Sequence, residues 1–279
     1  METQPQSPTS ILRELLDILE LAFKDKATLH YNNLELINLC KEKSPDFIKI
    51  ISERLQKKKI SYVRHAQSGY NAWKSESFMN LITPYANTVE NYDPSITEKG
   101  REQCKALVPV LDVEMKEKVE LVLISPLRRA IETFVAVKDA KMIAECSNII
   151  ITPLLRERLD TPCDIGTPLT MLKEIFSPYN YDFLVRENWW SPNLEYDIKN
   201  RLETKFVKEN VDKVRDRIFI LLVWLALREE ESILLVAHSN YYDAIAEKFR
   251  FISPNIKNAE MKVLPGESLA KFVTKYLKL

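Results

Sequence analysis

Histidine is scarce in this 279-residue chain, with three copies, and two of them stand where chemistry is easiest to organise. His65 ends the stretch Ile60-Ser61-Tyr62-Val63-Arg64-His65, and His238 directly follows Ile233-Leu234-Leu235-Val236-Ala237. Both apolar runs read as buried strands of a parallel sheet, whose two covered faces call for nearly continuous Val, Leu and Ile. Ligands of open parallel sheets bind outside the carboxyl ends of the strands. A third run, Leu121-Val122-Leu123-Ile124, passes into Ser125-Pro126-Leu127-Arg128-Arg129. If Ser125 caps a helix and Pro126 opens it, both arginines fall in the first turn, where the helix carries partial positive charge and favours acids. Two readings stay open. Either the arginines await an anion, and a helix start with guanidinium beside it is a good phosphate seat, or they point to solvent and pair with an acid such as Glu132. His30 lies outside every motif and reads as structural.

The elements that must position these groups follow from the apolar periodicity. From residue 60 onward, short apolar runs alternate with helical patterns, which indicates an α/β domain. Strands are expected at 60–63, 119–124, 148–151 and 232–237. Helices are expected from Thr97 to about Leu111, from Ser125-Pro126 onward, and over 203–227. The expected architecture is a three-layer α/β/α domain, residues 59–279, with a mostly parallel central sheet. Residues 1–58 form a helical N-terminal extension. There Ile11, Leu12, Leu15, Leu16, Ile18, Leu19 and Phe23 mark one helical face, with a weaker pattern over 34–39. A further helix begins at Ser44-Pro45 and carries Phe47, Ile48, Ile51 and Leu55. This extension is either a helical layer packed on the main domain or an arm that contacts a partner or a second subunit. Lys57, Lys58 and Lys59 read as a solvated junction.

Composition removes several classes of function. Forty acidic and forty basic residues balance, leaving no bulk field to attract nucleic acid or an anionic membrane. Four glycines, Gly69, Gly100, Gly166 and Gly266, are too dispersed for a glycine-rich phosphate loop or a dinucleotide fingerprint. The cysteines, Cys40, Cys104, Cys146 and Cys163, form no CxxC pair, so free thiols in a reducing, cytoplasmic setting are expected instead of a structural zinc site. The longest apolar run, residues 218–227, is about half of the ~20 residues a membrane-spanning helix needs. The N-terminus lacks a basic cap followed by an apolar stretch, so no secretory signal is expected.

The motif residues carry a resemblance. Arg64-His65-Ala66-Gln67-Ser68-Gly69-Tyr70-Asn71 resembles the RHG-type motif of the histidine phosphatase superfamily, the phosphoglycerate mutase-like enzymes. Ser125-Pro126-Leu127-Arg128-Arg129-Ala130-Ile131-Glu132-Thr133 is similar to that family's SPLxRAxxT stretch, which makes Arg129 the family arginine. The segment from Asp93 to Gln103 is similar to the one that falls between them. Leu155-Arg156-Glu157-Arg158 resembles the acid-bearing segment, and Val236-Ala237-His238-Ser239 the second-histidine segment. The matches follow the family's order from residue 60 to about 240 and leave the first 58 residues unexplained.

The resemblance implies phosphoryl transfer through a phosphohistidine on His65. Arg64, Arg129 and His238 would surround the phosphoryl group, Asn71 would add a neutral donor, and Glu157 would serve as general acid and then base. Asp160 and Asp164 are reserve acids. Imidazole suits the nucleophile because it is half neutral near pH 6.5. Guanidinium forks match phosphate oxygens two at a time. No metal and no other cofactor is implied. Ala66 replaces the commoner glycine, which is tolerable if φ is negative there. Residues 159–166 lack the Glu-Arg-His-Tyr-Gly run of glycolytic mutases, which favours phosphatase over mutase. A catalytically idle phosphate-binding protein is the remaining alternative. The substrate expected is a small phosphorylated metabolite, with a phosphoprotein as second choice. Residues 167–202, with Tyr179, Tyr181, Trp189 and Trp190, are expected to cap the pocket, their rings serving mainly as core packing.

Overall fold

Apolar β-runs that end in polar groups must be covered on both faces, and the computed structural model shows how. It describes residues 13, 16–21, 45–86, 88–190, 208–246 and 255–277. Five strands form one sheet in the order β3-β2-β4-β1-β5: β1 Lys59–Arg64, β2 Leu121–Ile124, β3 Ile149–Ile151, β4 Ser232–Ala237 and β5 Met261–Leu264. The first four are parallel, and β5 runs antiparallel beside β1. Every residue of β2 and β4 is buried, as continuous apolar runs require. The edge strand β5 is not anticipated by the periodicity. It is four residues long, and its Val263 is exposed.

One face of the sheet is covered by α1 Pro45–Lys57, α7 Val211–Leu227, α8 Ser239–Ala246 and α9 Gly266–Leu277, through a core that contains Ile51, Leu55, Trp224, Tyr241 and Phe272. Leu19, in the helical residues 16–21, is buried in that same core. The described N-terminal helices are therefore a layer on the sheet. The other face is covered by α4 Glu98–Glu114 and α5 Arg128–Val137, with Leu107, Phe134, Trp189 and Trp190 in its core. Three short helices complete the order: α2 Gly69–Glu76, α3 Phe78–Ile82 and α6 Leu169–Ile175. The architecture is the expected α/β one with a mostly parallel sheet. The apolar run 218–227 is buried throughout, inside α7, and among the described residues no helix is long and apolar enough to cross a membrane.

Three local expectations are corrected. The helix expected over 203–227 starts at Val211, where Asn210 Oδ1 accepts from Asp212 N–H at 3.0 Å; residues 203–207 lie outside the described residues. The helix expected from Pro126 starts at Arg128, and its N-cap position is Leu127. Asp93, held at φ 42°, caps that helix from a distance, its Oδ1 accepting from Arg128 N–H at 2.8 Å. Lys58 is not solvated: it is buried, and its Nζ donates to the carbonyls of Arg228 (2.7 Å) and Glu230 (2.6 Å). An unforeseen helix, α2, follows the His65 motif, capped by a reciprocal Ser68–Asn71 box. The pattern at 34–39, His30 and Cys40 lie outside the described residues.

Two glycines are set by close approach. A Cβ on Gly100 would lie 2.4 Å from the carbonyl oxygen of Gln67, so only glycine lets α4 start against the His65 loop. At Gly166 it would lie 2.2 Å from the Trp189 ring.

Candidate active site

Strand order creates the site. β4 inserts between β1 and β2, and its register sets Arg64 opposite Ala237. The next residue on each strand is a histidine, and the ladder continues one step further, with His65 N–H donating to Ala237 O at 2.9 Å. The two imidazoles therefore meet, with ring centroids 5.1 Å apart and planes at 55°. Both are buried.

Each ring is fixed by a different partner. His65 Nδ1 lies 2.7 Å from the Ala66 carbonyl. A carbonyl only accepts, so Nδ1 carries the hydrogen and the neutral ring presents its lone pair at Nε2. The Ala66 position keeps φ out of the positive region, and its N–H donates to Thr133 Oγ1 at 2.9 Å. His238 Nε2 lies 2.7 Å from Ser125 Oγ, so Ser125 serves the second histidine instead of capping a helix. The Tyr62 hydroxyl brackets the His238 backbone, donating to its carbonyl (2.7 Å) and accepting from its N–H (3.0 Å). His238 Nδ1 is buried with no partner among the described residues. Burial, then the charge of Arg129, holds both imidazoles well below their usual pKa, with Arg64 adding to the effect.

The arginines divide between the two readings left open by the sequence. Arg128 pairs with Glu132 at 3.3 Å in the i,i+4 geometry. Arg129 is buried; its Nη1 donates to Cys163 O (2.7 Å) and its Nη2 to Asp164 Oδ1 (2.9 Å). These take two of the five guanidinium N–H groups. Arg64, which ends β1, donates from Nη1 to Ile256 O at 2.8 Å, and its Nε is buried without a partner among the described residues.

Glu157 is buried on the loop after the 3₁₀ turn Pro153–Leu155, accepting from Arg158 N–H (2.8 Å) and Asn240 N–H (3.3 Å). Asn240 lies two residues past His238, which ties the acid to the second histidine. Burial first, and then the carboxylate of Asp164, pushes Glu157 up to about 7. The reserve acids have other duties. Asp160 pairs with Arg158 (3.1 Å) and Lys208 (3.1 Å), while Asp164 binds Arg129 and caps its own turn at Thr161. Asn71 Oδ1 accepts from Ser68 and, at 3.1 Å, from Asn258 Nδ2, which also donates to the His65 carbonyl.

The structure thus gathers His65, His238, Arg64, Arg129 and Glu157 around the ends of β1, β4 and β2. Ser125, Asn258, Tyr62 and Asp93 are supporting residues that sequence reasoning missed. Tyr62, a hydroxyl inside an apolar strand, carried a local signal, and Ser125 and Asp93 stand inside the matched motifs. Trp189 and Trp190 are fully buried core residues, and Tyr181 is buried with them; of the expected cap over 167–202, residues 191–202 lie outside the described residues. Among the described residues no group of three or more His, Cys, Asp or Glu could hold a metal ion.

A mostly parallel α/β sheet with paired imidazoles and guanidinium groups at its carboxyl edge is an arrangement chemically suited to an anion. The comparisons narrow the reading. The family profile of the histidine phosphatase superfamily (branch 1) matches residues 60–264, and the chain belongs to that family. A Schizosaccharomyces pombe protein named "Probable phosphatase" is 29% identical over 124 residues, 44% of this chain and 52% of the relative, so the match spans about half of that protein's length. An Arabidopsis thaliana phosphoglycerate mutase-like protein is 25% identical over 221 residues, 69% of this chain and 74% of the relative. Among solved structures, mycobacterial glucosyl-3-phosphoglycerate phosphatase is 20% identical, covers 73% of this chain and 90% of its own, and superposes with a TM-score of 0.43.

Proposed function

We propose that this protein is a phosphomonoester hydrolase that works through a phosphohistidine on His65, with Glu157 as its acid and base. The observation that carries the reading is the His65 ring: its Nδ1–H is tied to a backbone carbonyl, its Nε2 lone pair has no partner among the described residues, and a second buried imidazole stands 5.1 Å away. In the first step His65 Nε2 attacks phosphorus and the ester P–O bond breaks. The leaving oxygen takes the proton of Glu157, which a carboxyl with a pKa of about 7 still holds near neutrality. In the second step water gives a proton back to Glu157 and attacks phosphorus. The P–N bond breaks, releasing phosphate and neutral His65. Arg64 and Arg129 neutralise charge on the equatorial oxygens, the work a metal ion does in other phosphoryl-transfer sites, while His238, a neutral ring, and Asn71 add uncharged donors. The substrate class favoured is a small phosphorylated metabolite over a phosphoprotein. Free thiols at Cys104, Cys146 and Cys163 support a reducing, cytoplasmic setting.

The test is turnover of p-nitrophenyl phosphate and a panel of phosphorylated metabolites, combined with acid and alkali treatment of the trapped, labelled protein. The expected label is acid-labile and alkali-stable, and His65→Ala removes both label and turnover, by about 10⁴-fold or more. An acid-stable label, or a His65→Ala variant with full activity, overturns the reading. Phosphoglycerate interconversion with added bisphosphate would assign the chain to the mutases instead.

A further inference from the structure

Three rings beside the site have no part in the reaction above. Tyr70 and Trp73 on α2 stack at 23° with centroids 6.0 Å apart, and Tyr85 meets them edge-on, 5.0 Å from Tyr70 and 4.9 Å from Trp73. All three are half-buried, and none belongs to either core cluster. Trp189 and Trp190, by contrast, are sealed inside the fold. Apolar rings that pack chiefly on one another and stay partly open beside a polar centre have the composition of a ligand-pocket wall.

Their placement ties them to the phosphate end. Helix α2 starts immediately after the His65 loop, and Tyr70 is the neighbour of Asn71, which is joined through Asn258 to the His65 carbonyl. The Tyr70 hydroxyl meets the Thr161 side chain. Thr161 begins the turn whose Cys163 and Asp164 hold Arg129. Tyr85 feels the charge of Arg129. The charged side chains within 69–91, Lys74, Glu76 and Glu90, are all exposed. This wall therefore offers no buried cation for a second phosphate or a carboxylate. It offers flat apolar faces and ring edges.

We propose that Tyr70, Trp73 and Tyr85 form the leaving-group subsite, and that the substrate is a phosphate monoester of an aromatic alcohol. The proposal rests on the phosphate-site reading above and names its substrate class. Ring-on-ring contacts add to simple burial, and two of them give roughly tenfold selectivity.

The experiment is calorimetric binding of phenylphosphonate and methylphosphonate, neither of which can be hydrolysed, to the full chain. Wild type should bind the phenyl ligand about tenfold more tightly, and Trp73→Ala should bring the ratio within twofold, with the loss falling on the phenyl ligand. Tyr85→Leu, which keeps apolar bulk but removes the ring, gives the same reading should Trp73→Ala fail to fold. A wild-type ratio below twofold, a ratio that survives in the folded variants, or no binding of either ligand overturns the subsite. Because binding is read without turnover, the two ideas fail separately. Ring-dependent binding with no hydrolysis of any ester sinks the hydrolase reading alone, and hydrolysis without aryl preference sinks the subsite alone.

Discussion

Two buried glutamates, Glu157 and Glu209, are equally hidden from water, at 6% and 8% exposure, yet they lie at opposite ends of the carboxylate range. Glu157 rises to about 7 through burial and the neighbouring Asp164. Glu209 falls to about 2: burial pushes it upward, but Arg156 and Arg217 more than reverse that push. Arg156 grips both of its oxygens at 2.7 Å, and Arg217 adds a bond at 3.0 Å. The contrast teaches that neither burial nor charge density separates a reactive site from a structural one. In the structural cluster the carboxylate is neutralised by partners that belong to the fold. At the strand ends the proton stays on the carboxyl, and His65 Nε2 and His238 Nδ1 are left without partners among the described residues. The two clusters are also connected. Glu209 exchanges backbone and side-chain bonds with Leu159, and Arg156 donates to the Glu157 carbonyl. The closed network thus holds the loop that carries the open one.

Substituting each glutamate should separate their duties. Glu157→Gln should lower turnover of alkyl phosphates by about 10²–10⁴-fold, with a smaller loss on p-nitrophenyl phosphate, whose leaving group needs no proton. Steady-state rates on both esters, with a circular dichroism spectrum to confirm folding, check this, and equal losses on the two would contradict the acid role. Glu209→Gln should instead act on stability, by about 3–5 kcal/mol, because it strands two buried guanidinium groups. Urea denaturation measures that loss.

The pH dependence of stability sharpens the same comparison through opposite slopes. Between pH 4.5 and about 7 the native state holds a proton on Glu157 that the unfolded chain has released, so stability falls as pH rises through this window. Asp93, raised to about 6 by burial, adds a decline of the same sign. For Glu209 the unfolded chain binds the extra proton, so its contribution is complete above about 4.5 and is lost as pH falls toward 2. Denaturation midpoints across pH should show Glu157→Gln flattening the upper limb and Glu209→Gln the lower one. A Glu157→Gln profile that overlays wild type would refute the raised carboxyl. The smallest effect expected is at Ser125→Ala. It frees the His238 ring from one hydrogen bond of about 1 kcal/mol and should weaken binding of inorganic phosphate by several-fold in a titration.

The two histidines are legible in the sequence because each ends an apolar run, and the strand-end rule needs nothing more. The four parallel strands are legible for the same reason, to within about two residues at their ends. Arg129 is singled out by its motif, but its neighbours are not. Asp164 reaches it from 35 positions away, Ser125 reaches His238 from 113, and Asn258 reaches His65 from 193. Spacing along the chain is silent about pairs that only the folded sheet brings together. Ser125 shows the cost of local reasoning. Before a proline it has the chemistry of a helix cap, yet it faces His238, and Asp93 supplies the cap from a turn that no periodicity marks.

The insertion of β4 between β1 and β2 has a consequence for the making of this protein. Tyr62 on β1 and His238 after β4 are 176 positions apart, so a ribosome must release everything between these two strands before the His65 and His238 imidazoles can meet. Until that parallel strand slots home, His238 has no place beside His65 and the paired-imidazole site does not exist. The site therefore rests on a non-local pairing, the kind that forms slowly in folding, and its assembly can serve as a readout of whether the sheet has closed.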